Sequence, residues 1–349
     1  MAIDAYADAQ TVALCKQTCI VDYDERGFNA HALQVALGSL DLSEFVGFAY
    51  GSGFEAQPMI LREIALMLPL IGNLAEVVAN VKNPISFFAT LQTHHIQHPP
   101  VFLRATANST NKLIKTIGGS GGSHIQNADL SALNNKSYLQ QKIEGDAVSL
   151  LFIANTQTIK PIGFNMQCLT PAPDKPYRYG GAASNAALSS IVKAQLVFAA
   201  EKITQAFGLL GLNSLDAIVK LDDKIEQVFV LEINPRLSAT VDLYIDATHN
   251  LFEQHVQACI NHILFEQQEA VQSVSRAHAV VYADTEICFN ADFVWPFWAK
   301  DYPSSAKKIY KIHHGEPVCT VTAEAKTAQA ASAMAQARVD EILQLLKQK

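Results

Sequence analysis

The residues best suited to chemistry in this chain form the string Glu232-Ile233-Asn234-Pro235-Arg236, with Asp216 upstream. Side chains alternate along an extended strand, so Glu232 and Asn234 share a face. Both offer oxygen to a hard cation, and Arg236 follows a proline that ends the strand. Leu215 to Leu221, the polar turn Asp222-Asp223-Lys224, and Val228 to Ile233 read as a hairpin. A turn centred near Lys224 sets Asp216 opposite Glu232. Two carboxylates directly opposite repel. A cation between them removes that cost, and Mg²⁺ is typically held by one or two carboxylates plus substrate phosphates. The plainer reading is a pair of solvated hairpin carboxylates. The apolar flank Phe229-Val230-Leu231 and Ile233 argues instead for a buried strand, where a carboxylate needs a partner or a metal.

A second candidate is Gly118-Gly119-Ser120-Gly121-Gly122-Ser123, preceded by Lys115 on the strand-like run Leu113 to Ile117. Glycines let successive backbone N–H groups converge on phosphate oxygens, and Lys115 adds a point charge. The order GxxxxGK[ST] is absent, so this is not a P-loop. A flexible linker is the competing reading. Lys115 before the loop and Ile125 after it weigh against a linker.

These residues need elements to position them. Thr11 to Val21 and Phe45 to Ala49 read as strands, and Pro58 to Met67 as a helix with Ile60, Ile64 and Met67 on one side. Alternating strands and helices suggest a small α/β unit up to about residue 80. Lys82-Asn83-Pro84 opens a second unit, with a helix from Ile85 to about His94 that must end before Pro99-Pro100. Tyr138 to Ile143 and Val148 to Ile153 are strand-like. Val192, Leu196, Ala199, Ile203 and Phe207 recur at helical spacing, and Gly208 is a stop signal. Beyond about Val271, Ala277 to Ala283 and Glu316 to Thr322 read as strands. A closing helix carries Ala335, Val339, Ile342, Leu343 and Leu346.

The 349 residues carry 26 Lys plus Arg and 33 Asp plus Glu, a net charge of −7, with 49% apolar and 17% charged residues. That excludes a disordered chain and argues against a nucleic-acid binder. No apolar run reaches the roughly 18 to 20 residues of a membrane span. No signal peptide is evident, and the six cysteines lack CxxC spacing, so reduced thiols and a cytoplasmic location are expected.

Taken in order, Lys82, Lys115 with its glycine loop, the strand Tyr138 to Gly145, Asp216 and the Glu232 to Arg236 string resemble the ATP-grasp superfamily. The resemblance covers about Lys82 to Tyr244. It implies α/β and α+β architecture: a Rossmann-like N-terminal domain (1–80), then two α+β lobes clasping ATP (81–145 and 146–270), then a strand-rich segment with the closing helix (271–349). It implies that Lys82, Lys115 and Gly118, Gly119, Ser120, Gly121 and Gly122 contact phosphates, and that Gln140 to Ile143, with Gln141, Lys142 and Ile143 foremost, border adenine. Asp146 is implied at the ribose. Asp216, Glu232 and Asn234 would ligate Mg²⁺, two ions by that pattern with Mn²⁺ as the alternative, and Arg236 would join Lys115 in catalysis.

Within the superfamily the chain is similar to small carboxylate–amine ligases of one-carbon cofactor synthesis, such as tyramine–glutamate ligase. That likeness rests on Tyr50-Gly51-Ser52-Gly53-Phe54-Glu55, Tyr179-Gly180-Gly181, Asp301-Tyr302-Pro303 and Gly315 to Thr320. It implies an ADP-forming ligase that joins a small carboxylate to an amine through an acyl phosphate. The alternatives are a carboxylase-type enzyme using bicarbonate or formate, and a non-catalytic nucleotide-binding protein. Arg178 and Arg104 are candidates for gripping the substrate carboxylate, because a guanidinium suits bidentate contact. No nucleic-acid or membrane partner is expected, and a homodimer is compatible with the sequence. His94, His95 and His98 sit at a helix end, where macrodipole interaction suffices to explain them. Trp295 and Trp298 suit a pocket, a dimer contact or core.

Overall fold

The computed structural model describes residues 1–104, 110–244, 250–265, 274–304 and 309–348. The N-terminal part holds two short parallel pairs. β1 (Ala2–Asp4) pairs with β2 (Thr18–Ile20) across helix α1 (Ala9–Leu14). A small hairpin of β3 (Tyr23–Asp24) and β4 (Gly27–Phe28) leads to α2 (Ala30–Gly38). β5 (Phe48–Ala49) then pairs with β6 (Leu70–Ile71) across α3 (Met59–Ala65). The strand expected over Thr11 to Val21 is therefore α1 followed by β2. The Asp8 carboxylate accepts the N–H groups of Gln10 and Thr11 and starts a helix that buries no residue. The cap, not burial, decides its conformation.

α4 (Ala75–Lys82) and α5 (Pro84–Thr93) meet at Asn83. The Asn83 side chain accepts Ile85 N–H, and Pro84 fills the first turn of α5, as its missing N–H allows. α4 was not evident in the sequence: its N-terminus has no side-chain cap, and burial of Ala75, Val78 and Val81 secures it. Lys82 is its last residue.

A four-stranded antiparallel sheet follows, built from β7 (Val101–Phe102), β8 (Lys112–Thr116), β9 (Ile125–Asn127) and β10 (Ser137–Gln141) in the order β7-β10-β8-β9. Lys115 on β8 lies between Tyr138 and Ile125.

The large sheet begins with β11 (Asp146–Asn155), β12 (Ile159–Leu169) and β13 (Tyr179–Ser184). α6 (Ser190–Phe207) precedes the hairpin β14 (Leu210–Asp222) and β15 (Ile225–Asn234), and α7 (Leu251–Asn261) follows it. Then come β16 (Ser275–Tyr282), the hairpin of β17 (Ile287–Asn290) and β19 (Ile309–Ile312) flanking β18 (Ala299–Lys300), β20 (Pro317–Ala325) and α8 (Ala328–Lys347). The sheet order is β15-β14-β11-β12-β13-β16-β20-β18. The boundary expected at 270/271 lies outside the described residues.

One face of this sheet is apolar throughout. α6 packs Val192, Leu196 and Ile203 onto Leu150, Leu215, Ala217 and Val230. α8 packs Val339 and Ile342 onto Ala277, Ala279 and Val321. Val148, Met166, Ala183 and Ala277 are successive cross-strand partners, so both helices cover the same face. The opposite face carries Ser149, Asn165, Gln167, Asp216 and His278. The sequence period of α6 and its stop are as expected: Ser189 caps it, and Gly208 ends it at φ 70°. Among the described residues no helix is long and apolar enough to cross a membrane.

The hairpin contains an irregularity that matters for the site. From Asp222↔Ile225 to Ala217↔Val230 the ladder is regular, and then Asp216 pairs with Glu232, leaving Leu231 as an extra residue. Val230 and Glu232 are two residues apart, and strict alternation would put them on one face. The bulge sends Val230 into the core, 1% exposed, and Glu232 to the polar face. Asp216 is thus opposite Glu232 as expected, but the turn is centred between Asp223 and Lys224, and the bulge supplies the missing half step.

Candidate active site

Asp216 and Glu232 meet through Asn234 and Lys82. Asn234 Nδ2 donates to Asp216 Oδ2 at 2.9 Å, while its Oδ1 accepts from Lys82 Nζ at 3.0 Å. The same ammonium lies 3.4 Å from Glu232 Oε2. Gln167 Nε2 and Ser214 Oγ donate to Asp216 Oδ1 at 3.0 and 3.3 Å. α4 delivers Lys82, β14 delivers Asp216, and the bulged end of β15 delivers Glu232 and Asn234. A lysine ammonium therefore sits beside the carboxylate and amide oxygens that the sequence marked for a cation.

The two carboxylates differ in electrostatics. Burial and the nearby Glu232 charge push the Asp216 carboxyl well above the usual carboxylate range. Burial works the same way on Glu232, but the charges of Lys82 and Lys115 outweigh it and hold that carboxyl low. Neighbouring carboxylates with divergent proton affinities mark sites built for charge.

Lys115 is 3% exposed, and its ammonium makes no hydrogen bond or ion pair among the described residues. Burial, with Lys82 repulsion adding to it, lowers its pKa despite the attraction of Glu232. Gln140, 1% exposed, has its Nε2 without a partner among the described residues. Buried donors without partners are costly unless a ligand satisfies them. A cavity lined by Lys82, Phe88, Gly118, Gly119, Leu231 and Glu232 lies between α4–α5, the glycine loop and β15. The glycine loop crosses its edge and is fixed to β13, where Tyr179 N–H donates to Gly121 O at 2.9 Å. Gln141, Lys142 and Ile143 continue from β10 toward the large sheet. Gln141 N–H is bonded to Pro100 O at 2.8 Å and Lys142 N–H to Asn111 O at 3.0 Å. Asp146 is exposed at the start of β11.

Arg236 is held by a residue to which the sequence assigned no role. Its Nε donates to Glu55 Oε1 at 2.8 Å, and Glu55 Oε2 accepts the N–H groups of Gly53 and Phe54 at 2.9 and 3.1 Å. Burial opposes charge on Glu55, but Arg236 and Lys82 hold its carboxyl below the usual range. Asn73 anchors the same region, donating to Asn213 Oδ1 and Pro235 O at 2.9 and 3.0 Å. Glu55 and Asn73 come from the N-terminal part, and only their three-dimensional neighbours reveal them.

The two arginines expected at the substrate carboxylate are placed differently. Arg178 is 8% exposed, donates from Nε to Thr170 O and from Nη1 to Gly315 O at 3.0 and 3.1 Å, and lies 3.7 Å over the Tyr282 ring. Arg104 is exposed beyond β7. Among the described residues neither hydrogen-bonds to Asp216, Glu232 or Arg236. Sequence reasoning used Tyr179 only as part of a motif, with no role, and passed over His278. A shift in the β12–β13 register at Cys168/Leu169 sets Tyr179 opposite Leu169, and its hydroxyl lies 2.8 Å from His278 Nε2. His124 was missed as well; burial, then Lys115 and Lys82, lower its pKa to about 4 against the pull of Glu232.

His98 packs on Phe88, and its Nδ1 lies 2.8 Å from Pro99 O, consistent with a histidine used for packing. Trp298 is core, 9% exposed, and Trp295 stacks on Tyr302. Among the described residues no three His, Cys, Asp or Glu side chains gather to hold a metal by themselves.

A family model described as an ATP-grasp domain matches residues 81–240. No curated protein matches the chain. Solved structures that share its fold include the following three. The biotin carboxylase domain of 2-oxoglutarate carboxylase from Hydrogenobacter thermophilus, in complex with MgADP, ADP and bicarbonate, is 11% identical with a TM-score of 0.73, over 95% of this chain and 82% of that one. L-amino acid ligase from Bacillus licheniformis is 14% identical with a TM-score of 0.66, over 93% and 86%. N5-carboxyaminoimidazole synthase from Aspergillus clavatus, in complex with ADP and 5-aminoimidazole ribonucleotide, is 11% identical with a TM-score of 0.67, over 99% and 92%. The fold class expected from the residues is the one observed: residues 81–240 are an ATP-grasp domain, and the chain carries the ATP-grasp fold.

Proposed function

We propose that this protein is an ATP-dependent, ADP-forming ligase that joins a small carboxylic acid to an amine through an acyl phosphate. One observation carries the reading: the bulged hairpin sets Asp216 opposite Glu232, with Asn234 bonded to Asp216, Arg236 following at the end of the same strand, and Lys82 and Lys115 converging from two other segments. The residues fit Mg·ATP. Gln140 Nε2, buried without a partner among the described residues, and the cationic side chain of buried Lys115 call for acceptors, and two carboxylates plus an amide oxygen are hard ligands. When bound, Mg²⁺ would neutralise charge on the transferring phosphoryl oxygens.

In this scheme Asp216, Glu232 and Asn234 would hold the cation. Lys82 turns from Glu232 and Asn234 toward phosphate, and Lys115 meets the phosphates from the opposite sheet. The glycine loop covers them with backbone N–H groups and excludes water, which would otherwise hydrolyse an acyl phosphate. Gln141 to Ile143 border the base, and Asp146 faces the ribose. Arg236, fixed by Glu55, stabilises the carboxylate as it attacks the γ-phosphorus and the acyl phosphate that results. The amine nitrogen then attacks the acyl carbon, the acyl C–O bond breaks, and phosphate leaves while the nitrogen's proton passes to it or to solvent. The solved ligase and the amine-bound synthase among the structures of this fold support an amine acceptor. The narrower likeness to ligases of one-carbon cofactor synthesis rests on the Tyr50 to Glu55 motif, whose Glu55 holds Arg236.

The test is ADP release and hydroxamate formation with Mg·ATP, hydroxylamine and a panel of acids that includes bicarbonate, for wild type and Glu232→Gln. Acid-dependent hydroxamate in wild type and none in the variant is the expected result. ADP release with bicarbonate alone would favour a carboxylase-type reaction, and unchanged turnover in the variant would sink the assignment.

A further inference from the structure

His124 is the residue around which the glycine loop is folded. Its Nδ1 lies 3.2 Å from the Ser120 carbonyl. A carbonyl only accepts, so Nδ1 carries a proton in this contact. The ring lies directly beneath Gly119, where an added Cβ would come within 2.2 Å of His124 Cγ. The backbone winds about the same point: Gly119 N–H donates to Thr116 O, Thr116 N–H to His124 O and Ile125 N–H to Gly122 O, at 3.2, 3.3 and 3.2 Å. The imidazole also lines the cavity shared by Lys82, Thr116, Gly118 and Glu232.

A run of glycines loses more conformational entropy on ordering than any other sequence. A ligand that must order such a loop binds correspondingly weakly, and a brace that orders it beforehand improves affinity. The contact to β13 through Gly121 fixes the outer side of the loop. His124 supplies a side chain on its inner side.

We propose that His124 is the positioning residue of the phosphate loop: its bond to Ser120 O and its ring under Gly119 hold the loop amides ready for a nucleotide's phosphates. The inference rests on the nucleotide-binding reading of the site. It assigns a role to a side chain that neither motif nor spacing marks.

Asparagine and glutamine separate the two imidazole nitrogens. The Asn amide nitrogen reaches about as far as Nδ1, and the Gln amide nitrogen about as far as Nε2. MgADP affinity is measured by calorimetry on the full chain for wild type, His124→Ala, His124→Asn and His124→Gln, with the unfolding midpoint of each taken without nucleotide. His124→Ala and His124→Gln should bind about tenfold more weakly, and His124→Asn within about threefold of wild type. Amide exchange of residues 118–123 should be slow in wild type and His124→Asn and fast in the other two. Wild-type affinity in His124→Ala, or rescue by Gln and not Asn, would overturn the proposal. If wild type binds no MgADP, the nucleotide reading fails, and the exchange pattern alone then decides whether His124 braces the loop. Should His124→Ala not fold, the Asn and Gln pair still decides.

Discussion

Arg236 Nε and Glu55 Oε1 lie 2.8 Å apart, with side chains only 11% and 2% exposed, and join segments 181 positions apart in the chain. The contact ties the N-terminal part to the end of β15. Removing the carboxylate would strand a buried guanidinium, and breaking a buried pair on one side costs about 3–5 kcal/mol. Glu55→Ala should therefore lower the unfolding free energy by about that amount in urea titration. Glu55→Gln keeps an acceptor for Gly53 and Phe54 N–H and should lose about 1–3 kcal/mol. A loss below about 1 kcal/mol for Glu55→Ala would mean that Arg236 finds another partner.

The same pair sets a pH dependence. The Glu55 carboxyl is held below its ordinary range in the folded chain, by Arg236 and Lys82 against the opposing effect of burial. A depressed folded-state pKa stabilises above the unfolded value, about 4.3, and that stability is lost as pH falls through the folded value. The stability difference between wild type and Glu55→Gln should stay constant from pH 8 to about 5 and shrink below about 4. A difference that instead grows on acidification would contradict the assigned charge state.

Lys82 stands beside the oxygens proposed for Mg²⁺, 3.4 Å from Glu232 and 3.0 Å from Asn234. A divalent ion there requires the ammonium to move, and the phosphates are its natural destination. MgADP at 100 times its dissociation constant should stabilise wild type by about 2.7 kcal/mol. Glu232→Gln removes one ligand charge and should lose most of the Mg²⁺-dependent part of that gain. Thermal unfolding with ADP, with and without Mg²⁺, measures it. Equal Mg²⁺ dependence in both proteins would place the metal elsewhere.

How much of this was legible depended on the range of the interactions. The hairpin, α6 and its Gly208 stop could be read locally, because alternation, helical period and capping are written within a few residues. The Asp216–Glu232 pair was also legible, although a regular ladder would have set Leu231 opposite Asp216; only the bulge makes the pairing hold. α1 was misread as strand because its apolar residues suit either structure and the decisive signal is the Asp8 cap. α4 escaped because tertiary burial, not a cap, secures it. Glu55, Asn73 and His278 serve partners far away in sequence, and no local pattern announces such contacts. Arg178 was chosen for its chemistry, whereas its surroundings commit it to two carbonyls and a ring.

Adjacent glycines in the glycine loop should respond differently to the same change. Gly121 and Gly122 both have left-handed backbones, at φ 65° and 72°. A Cβ at Gly121 would meet open space, so Gly121→Ala pays only the left-handed strain, about 1–2 kcal/mol. A Cβ at Gly122 would lie 1.9 Å from Tyr177 O, a backbone atom that cannot rotate away. Gly122→Ala must therefore lift the loop from the Tyr177–Tyr179 segment and break the Tyr179 N–H to Gly121 O bond. MgADP affinity should fall about tenfold or less in Gly121→Ala and at least a hundredfold in Gly122→Ala. Calorimetry on the two variants gives the comparison. Equal losses would show that the loop does not need its contact with β13 to hold phosphate.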